Sequence, residues 1–193
     1  MIVISFLIGT ISLIALLLSS YFWWARYKIT NHPNVEPIHI AHPSIAEEMT
    51  NLVEHIAAIA RTPSPKVFVF RSKLPNAFIV PSTRNPRLFL ADELFEACNA
   101  LGADAGLKHL ERAICHEIAH LKRRDALPLG VIELISILGQ RLRLKSFIHS
   151  SNNWRDSIER QTDNMAISLL QSLQAQLNKF KPPEQLSSTI TPI

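Results

Sequence analysis

Cysteine is scarce in this chain: Cys98 and Cys115 are the only two among 193 residues. That excludes a disulfide framework and fits a reducing compartment. Concentrated charge is also lacking. The net charge is only +4, and basic residues cluster only around Lys122-Arg123-Arg124 and between Arg141 and Lys145. No basic stripe interleaved with aromatics is present, so no nucleic-acid partner is expected, and an anionic membrane surface suits the pattern better. Residues 2–25 lack charge altogether. They also lack the positive start and small-residue cleavage site of a secretory signal. At about 1.5 Å per residue such a run crosses a hydrocarbon core of roughly 30 Å. Tyr21 to Trp24 followed by Arg26 and Lys28 reads as an interface belt with positive charge on the inner side. The expectation is a single-pass anchor over 1–25 in a cell inner membrane, amino end out, with the remainder in the cytoplasm. A cleaved signal peptide is the alternative.

Against these absences stands one compact motif, His116-Glu117-Ile118-Ala119-His120. The spacing His-Glu-x-x-His on a helix stacks two imidazoles on one face, where they can share a zinc ion while the Glu points at its open position. With eight His and eleven Glu in the chain, a shuffled sequence would give the pentad only about 0.02 times. A surface helix with solvated His and Glu is the bland alternative, so the surroundings must decide.

About 168 residues follow the anchor, one domain's worth. Residues 26–42 carry two prolines and no helical period and read as an extended connector. Ser44 and Glu47 have capping-box spacing before a stripe of Ile45, Met49, Leu52, Val53, Ile56 and Ala60. Short apolar runs at 67–70, 77–80 and 88–90 predict a small antiparallel sheet. A short helix at 92–98 and a helix from near Asp104 to Arg124 follow, with Leu107, Leu110, Ile114, Ile118 and Leu121 as the latter's apolar face. Residues 129–148 read as a further apolar helix, too short and too polar for a second span and better suited to a core or membrane surface. Asn152-Asn153 then predicts the cap of a helix from Trp154 to about Phe180, stopped by Pro182-Pro183, and 181–193 form a tail. His32, His39, His42 and His55 have no ligand partner at suitable spacing and read as solvated or structural. Cys115 lies about 100° round the helix from His116 and reads as a small core residue.

Zinc on two imidazoles needs a third protein ligand, and Glu159 is the best candidate. Asp163 lies one turn along the same face and could hold the free ring nitrogen of a zinc-bound imidazole. The alternative for both is surface pairing with Arg155 or Arg160.

Pro75-Asn76-Ala77-Phe78, the stretch from Cys115 to Asp125, and the stretch from Glu159 to Ala166 resemble, in the same order, the HtpX-type membrane metallopeptidases. Those are relatives of the CAAX prenyl endopeptidases. The resemblance covers about residues 44–175. It implies an α+β, mainly helical gluzincin domain over 43–180, with one zinc per chain on His116, His120 and Glu159 and Glu117 as general base. Three departures stand out: such proteins usually have more transmembrane helices, Asp156 replaces an expected Arg, and Thr162 an expected Ala. Sensor peptidases of the BlaR type share part of the pattern, and a zinc-binding scaffold without hydrolysis is a further alternative. The implied chemistry is hydrolysis of a protein or peptide substrate, in keeping with membrane-protein quality control. An extended substrate is expected to pair with the strand edge at Asn76, Ala77 and Phe78. His149, Arg155 and His109 are the candidates for stabilising the oxyanion.

Overall fold

A computed structural model describes residues 20, 27–28, 32–82, 84–141, 143 and 145–180. The anchor expected over 1–25 and the tail over 181–193 fall outside these residues, apart from Ser20. No helix among the described residues is long and apolar enough to cross a membrane. That includes α5 (Ala126–Arg141), which occupies much of the apolar stretch expected at 129–148.

From Asn34 on, a short strand, β1 (Val35–Pro37), is followed by a single helical turn, α1 (Ile38–Ala41). Helix α2 (Ala46–Ala60) buries Met49, Val53, Ile56, Ala57 and Ala60, the stripe its period predicts. Its start differs from expectation, because Ile45 is the N-cap and no side chain caps the first turn. It stops at Arg61, whose left-handed backbone (φ 56°) lets the Arg61 and Thr62 N–H groups turn back to the carbonyls of Ala57 and Ala58.

Strands β2 (Lys66–Phe70), β3 (Ala77–Val80) and β4 (Arg87–Ala91) join β1 in one sheet of order β1-β2-β4-β3. The sheet is mixed rather than antiparallel: β2 and β4 run parallel in the centre, with Val67 opposite Leu88, while β1 and β3 are antiparallel edges. The prolines of 26–42 suggested irregular chain, yet three residues are enough for an edge strand, where Pro37 gives up no interior hydrogen bond. The sheet's alternation separates two layers. Val67 and Val69 turn to the helices, while Phe68 and Phe78 stack on either side of Phe89 at 5.5 and 4.9 Å. Leu88, Phe89 and Leu90 are wholly buried, as befits a central strand covered on both faces.

From β4 the chain enters α3 (Asp92–Ala100), turns at Gly102 (φ 82°), and forms α4 (Ala103–Arg123). Helix α5 and the 36-residue α6 (Lys145–Phe180) complete the fold. Helix α5 ends at Arg141 and α6 begins at Lys145, with Arg143 left-handed, and Asn152-Asn153 lie inside α6 rather than at its start. Asparagine's preference for caps is weak beside continuous packing, and there Asn153 pairs with His149 one turn back while buried Ser151 bonds the Ile148 carbonyl. Ile114, Cys115, Ile118 and Ala119 of α4 and Ala166, Leu169 and Leu173 of α6 share one core with α2 and the sheet.

Helices α3 and α4 touch at Gly106. A Cβ there would lie 2.2 Å from the Cys98 carbonyl oxygen and 2.8 Å from its carbon. Both are backbone atoms that no rotamer change can move. Gly106→Ala is expected to lower the unfolding free energy by about 1–3 kcal/mol, measured by urea denaturation. A variant as stable as the parent would contradict the close approach.

Candidate metal centre

The core face of α4 determines what its other side presents. Ile114, Cys115, Ile118 and Ala119 are fully buried, so at 100° per residue His116, Glu117 and His120 emerge at the margin of the helix. The Nε2 atoms of His116 and His120 lie 3.1 Å apart, and each is 3.4 Å from Oε2 of Glu159 on α6. Among the described residues this is the only group of three or more His, Cys, Asp or Glu side chains placed to share a metal ion.

Both rings are held from behind. His116 Nδ1 lies 3.0 Å from Asp163 Oδ1, and His120 Nδ1 lies 3.1 Å from Asp125 Oδ2. A carboxylate at Nδ1 favours the proton on that nitrogen and leaves Nε2 as a bare lone pair. Three acceptors then converge with no hydrogen to share, an arrangement that calls for a cation. Its size also fits: ligands at about 2.0–2.1 Å from a tetrahedral zinc are roughly 3.3–3.4 Å from one another.

Asp125 closes the Cys115–Asp125 stretch that carries the resemblance, but the sequence assigns it no role at the site. It sits just past the left-handed end of α4 at Arg124, with its own N–H bonded to the His120 carbonyl, and it is 3% exposed. Its Oδ2 accepts from Arg123 Nε and from Thr162 Oγ1, each at 2.9 Å, besides facing His120. Thr162, the departure from an expected Ala, is thus a buried donor to the carboxylate that orients the second histidine. Its hydroxyl also lies 3.0 Å from the Ile158 carbonyl within α6. The one available signal is an Asp five residues after His120, near enough to fold back once the helix ends.

A cleft of about 360 Å³ opens over the triad, lined by Asn76 to Ile79 of the β3 region, by Glu117, and by Leu129 of α5. The predicted Asn76, Ala77 and Phe78 therefore share a cavity with the histidines. Burial pushes the Glu117 carboxyl up to about 8, opposed by a hydrogen bond from the Ile79 backbone N–H and reinforced by the Glu159 charge. Burial likewise pushes the Cys115 thiol up to about 12, with Glu111 adding, which suits a core residue and not a ligand. Two oxyanion candidates are not brought to the cleft: Arg155 pairs with Glu133 of α5, and His149 bonds Asn153 within its own helix. His109 lies two turns before His116 on α4, outside the cleft.

Peptidase family M48 matches residues 43–183 of the chain. The chain is 28% identical over 134 residues to a protein named Protease HtpX homolog from Caldanaerobacter subterraneus subsp. tengcongensis, covering 67% of this chain and 42% of that relative. With Protease HtpX of Legionella pneumophila it shares 28% over 139 residues, 69% and 46% of the two chains. With the Protease HtpX homolog of Moorella thermoacetica it shares 35% over 83 residues, 43% and 26%. The chain thus spans less than half the length of these curated relatives. No solved structure matches.

Two outcomes are expected of this geometry. Thr162→Val removes the donor to Asp125 and should weaken zinc binding about tenfold, read by chelator competition, while Thr162→Ser keeps it; equal affinity of all three would contradict the network. In the metal-free protein Glu117 has a folded pKa of about 8 against an ordinary 4.5. Its stabilising contribution is therefore complete below 4.5 and lost as pH rises through 8. Metal-free Glu117→Gln should melt higher than the parent at alkaline pH and not at acid pH. A melting difference independent of pH would contradict the burial of this carboxyl.

Proposed function

The chain belongs to peptidase family M48, and from that premise we propose that it is a zinc-dependent endopeptidase held at a membrane. The observation that carries this reading is the triangle of His116, His120 and Glu159, with edges of 3.1–3.4 Å and a carboxylate behind each imidazole. Bound there, zinc would supply Lewis acidity to a scissile carbonyl and to a water molecule.

The remaining work falls to the chain's own groups. Glu117 takes the proton from water and delivers it to the leaving amine. A carboxyl already pushed to about 8 by burial has a proton affinity suited to both halves of that task once a nearby cation draws the value down. Strand β3 is a sheet edge, so it has one row of backbone groups to offer. The Asn76 carbonyl accepts from Ala91 of β4 at 2.9 Å. By the alternation of an antiparallel pair, Phe78 and Val80 also face β4, while Ala77 and Ile79 face outward into the cleft. An extended substrate paired on that edge lies across the triad with its backbone in register. A substrate carbonyl that takes the Ile79 N–H also releases Glu117 from it, so docking frees the base.

The uncharged run over 2–25 supports placement at a membrane, in the single-pass, cytoplasmic orientation its flanking charges suggest. Its substrates on this reading are proteins or peptides, including membrane proteins under quality control.

Replacing Glu117 by Gln should reduce cleavage of casein by about 10²–10⁴-fold with zinc content unchanged, measured by a fluorescent proteolysis assay beside metal analysis. Cleavage at the parental rate would remove Glu117 as the base. Zinc bound by a parent chain that cleaves nothing would favour the non-hydrolytic scaffold.

A further inference from the structure

A second hollow, of about 410 Å³, shares His116 with the active-site cleft and runs away from it between α4 and α6. Each helix lines it with a stripe at i, i+3, i+4 and i+7, from His109 to His116 on α4 and from Asp163 to Leu170 on α6. Seven residues of helix advance about 10 Å, the length of roughly three residues of extended peptide. The walls are largely apolar, with Ala113 on one side and Ala166 and Ile167 on the other.

The groove is lined by one carboxylate and one guanidinium. Its one carboxylate, Asp163, already faces His116 Nδ1 at 3.0 Å. Arg112 is exposed one turn from His116, and among the described residues it makes no ion pair of the kind that engages Arg123 and Arg155. A guanidinium stays charged at any working pH and offers a planar fork to a carboxylate.

We propose that this groove is a substrate subsite for the residues on one side of the scissile bond, with an apolar side chain against Ala113 and Ile167 and a carboxylate at Arg112. The proposal rests on the peptidase reading and adds a substrate class to it: chains with an acidic group about two residues from the cut. That group is either an acidic side chain or the substrate's own C-terminus.

The test uses the zinc-loaded full chain carrying Glu117→Gln, so that peptides bind without being cut. Fluorescein-labelled decapeptides of Ala and Leu carry one Glu, or one Lys, at each position in turn, and each is made with a free or an amidated C-terminus. Binding is read by anisotropy. At one internal position Glu should bind about fivefold tighter than Lys, or the free acid tighter than the amide if the terminus is the group recognised. Arg112→Gln should flatten this preference and Arg112→Glu should invert it. Identical binding across the Glu and Lys scans and both termini overturns the proposal, as does a preference that neither Arg112 variant changes. If charge-dependent binding holds while the chain with Glu117 intact cuts none of these peptides, the peptidase reading fails and the groove stands. Cleavage by that chain without any charge preference overturns the groove and leaves the peptidase reading intact.

Discussion

The hydrogen bonds that the Nδ1 atoms of His116 and His120 donate to carboxylates are the constraint on which the site depends. Each uses up the one proton of a neutral imidazole and leaves the opposite nitrogen as an acceptor. Two such nitrogens 3.1 Å apart, with a Glu159 oxygen 3.4 Å from both, repel one another unless a cation lies among them. The two supports differ in kind. Asp163 is more than half exposed and reaches His116 from α6, one turn beyond Glu159. Asp125 is buried and tied down by Arg123 and Thr162, so His120 has the stiffer backing.

What aligns these groups is hydrophobic packing on the other side of α4. Ile114, Cys115, Ile118 and Ala119 lock the helix into a core shared with α2, the sheet and α6. Any rotation of α4 that moved the histidines would expose these side chains, of which each isoleucine contributes about 1.5–3 kcal/mol when buried. The same packing brings β3 to the cleft as a sheet edge, near enough for Ile79 to donate to Glu117. The histidine pair, Glu117 and the β3 edge beside them are thus placed by one helix held against one sheet, while α6 supplies Glu159.

Periodicity made the longer helices and three strands legible in the sequence, because Met49, Val53 and Ile56, or Val67 and Val69, must face a core wherever the chain goes, whereas the single turn α1 lies in a stretch that reads as extended connector. The triad was legible for a related reason: four-residue spacing fixes the His pair on one face, and a carboxylate on a later helix is what a third ligand requires. Contacts made by turns and edges were not. Strand β1 is three residues long and holds a proline, so no pattern marks it. The parallel pairing of β2 and β4 depends on β3 taking the edge, which strand propensities do not encode. Asn152-Asn153 looked like a helix start because local cap preference is all a sequence displays, whereas the chain turns at Arg143. Asp125 reaches His120 only because α4 ends in a left-handed residue, and the role of Thr162 follows from the packing of α6 on that turn.

Zinc-edge X-ray absorption on the purified protein tests the central claim most directly. The account predicts one zinc per chain with two imidazole nitrogens and one carboxylate oxygen at about 2.0–2.1 Å. A sulfur neighbour at about 2.3 Å, which would place Cys115 in the coordination shell, or a protein that takes up no zinc, would contradict it.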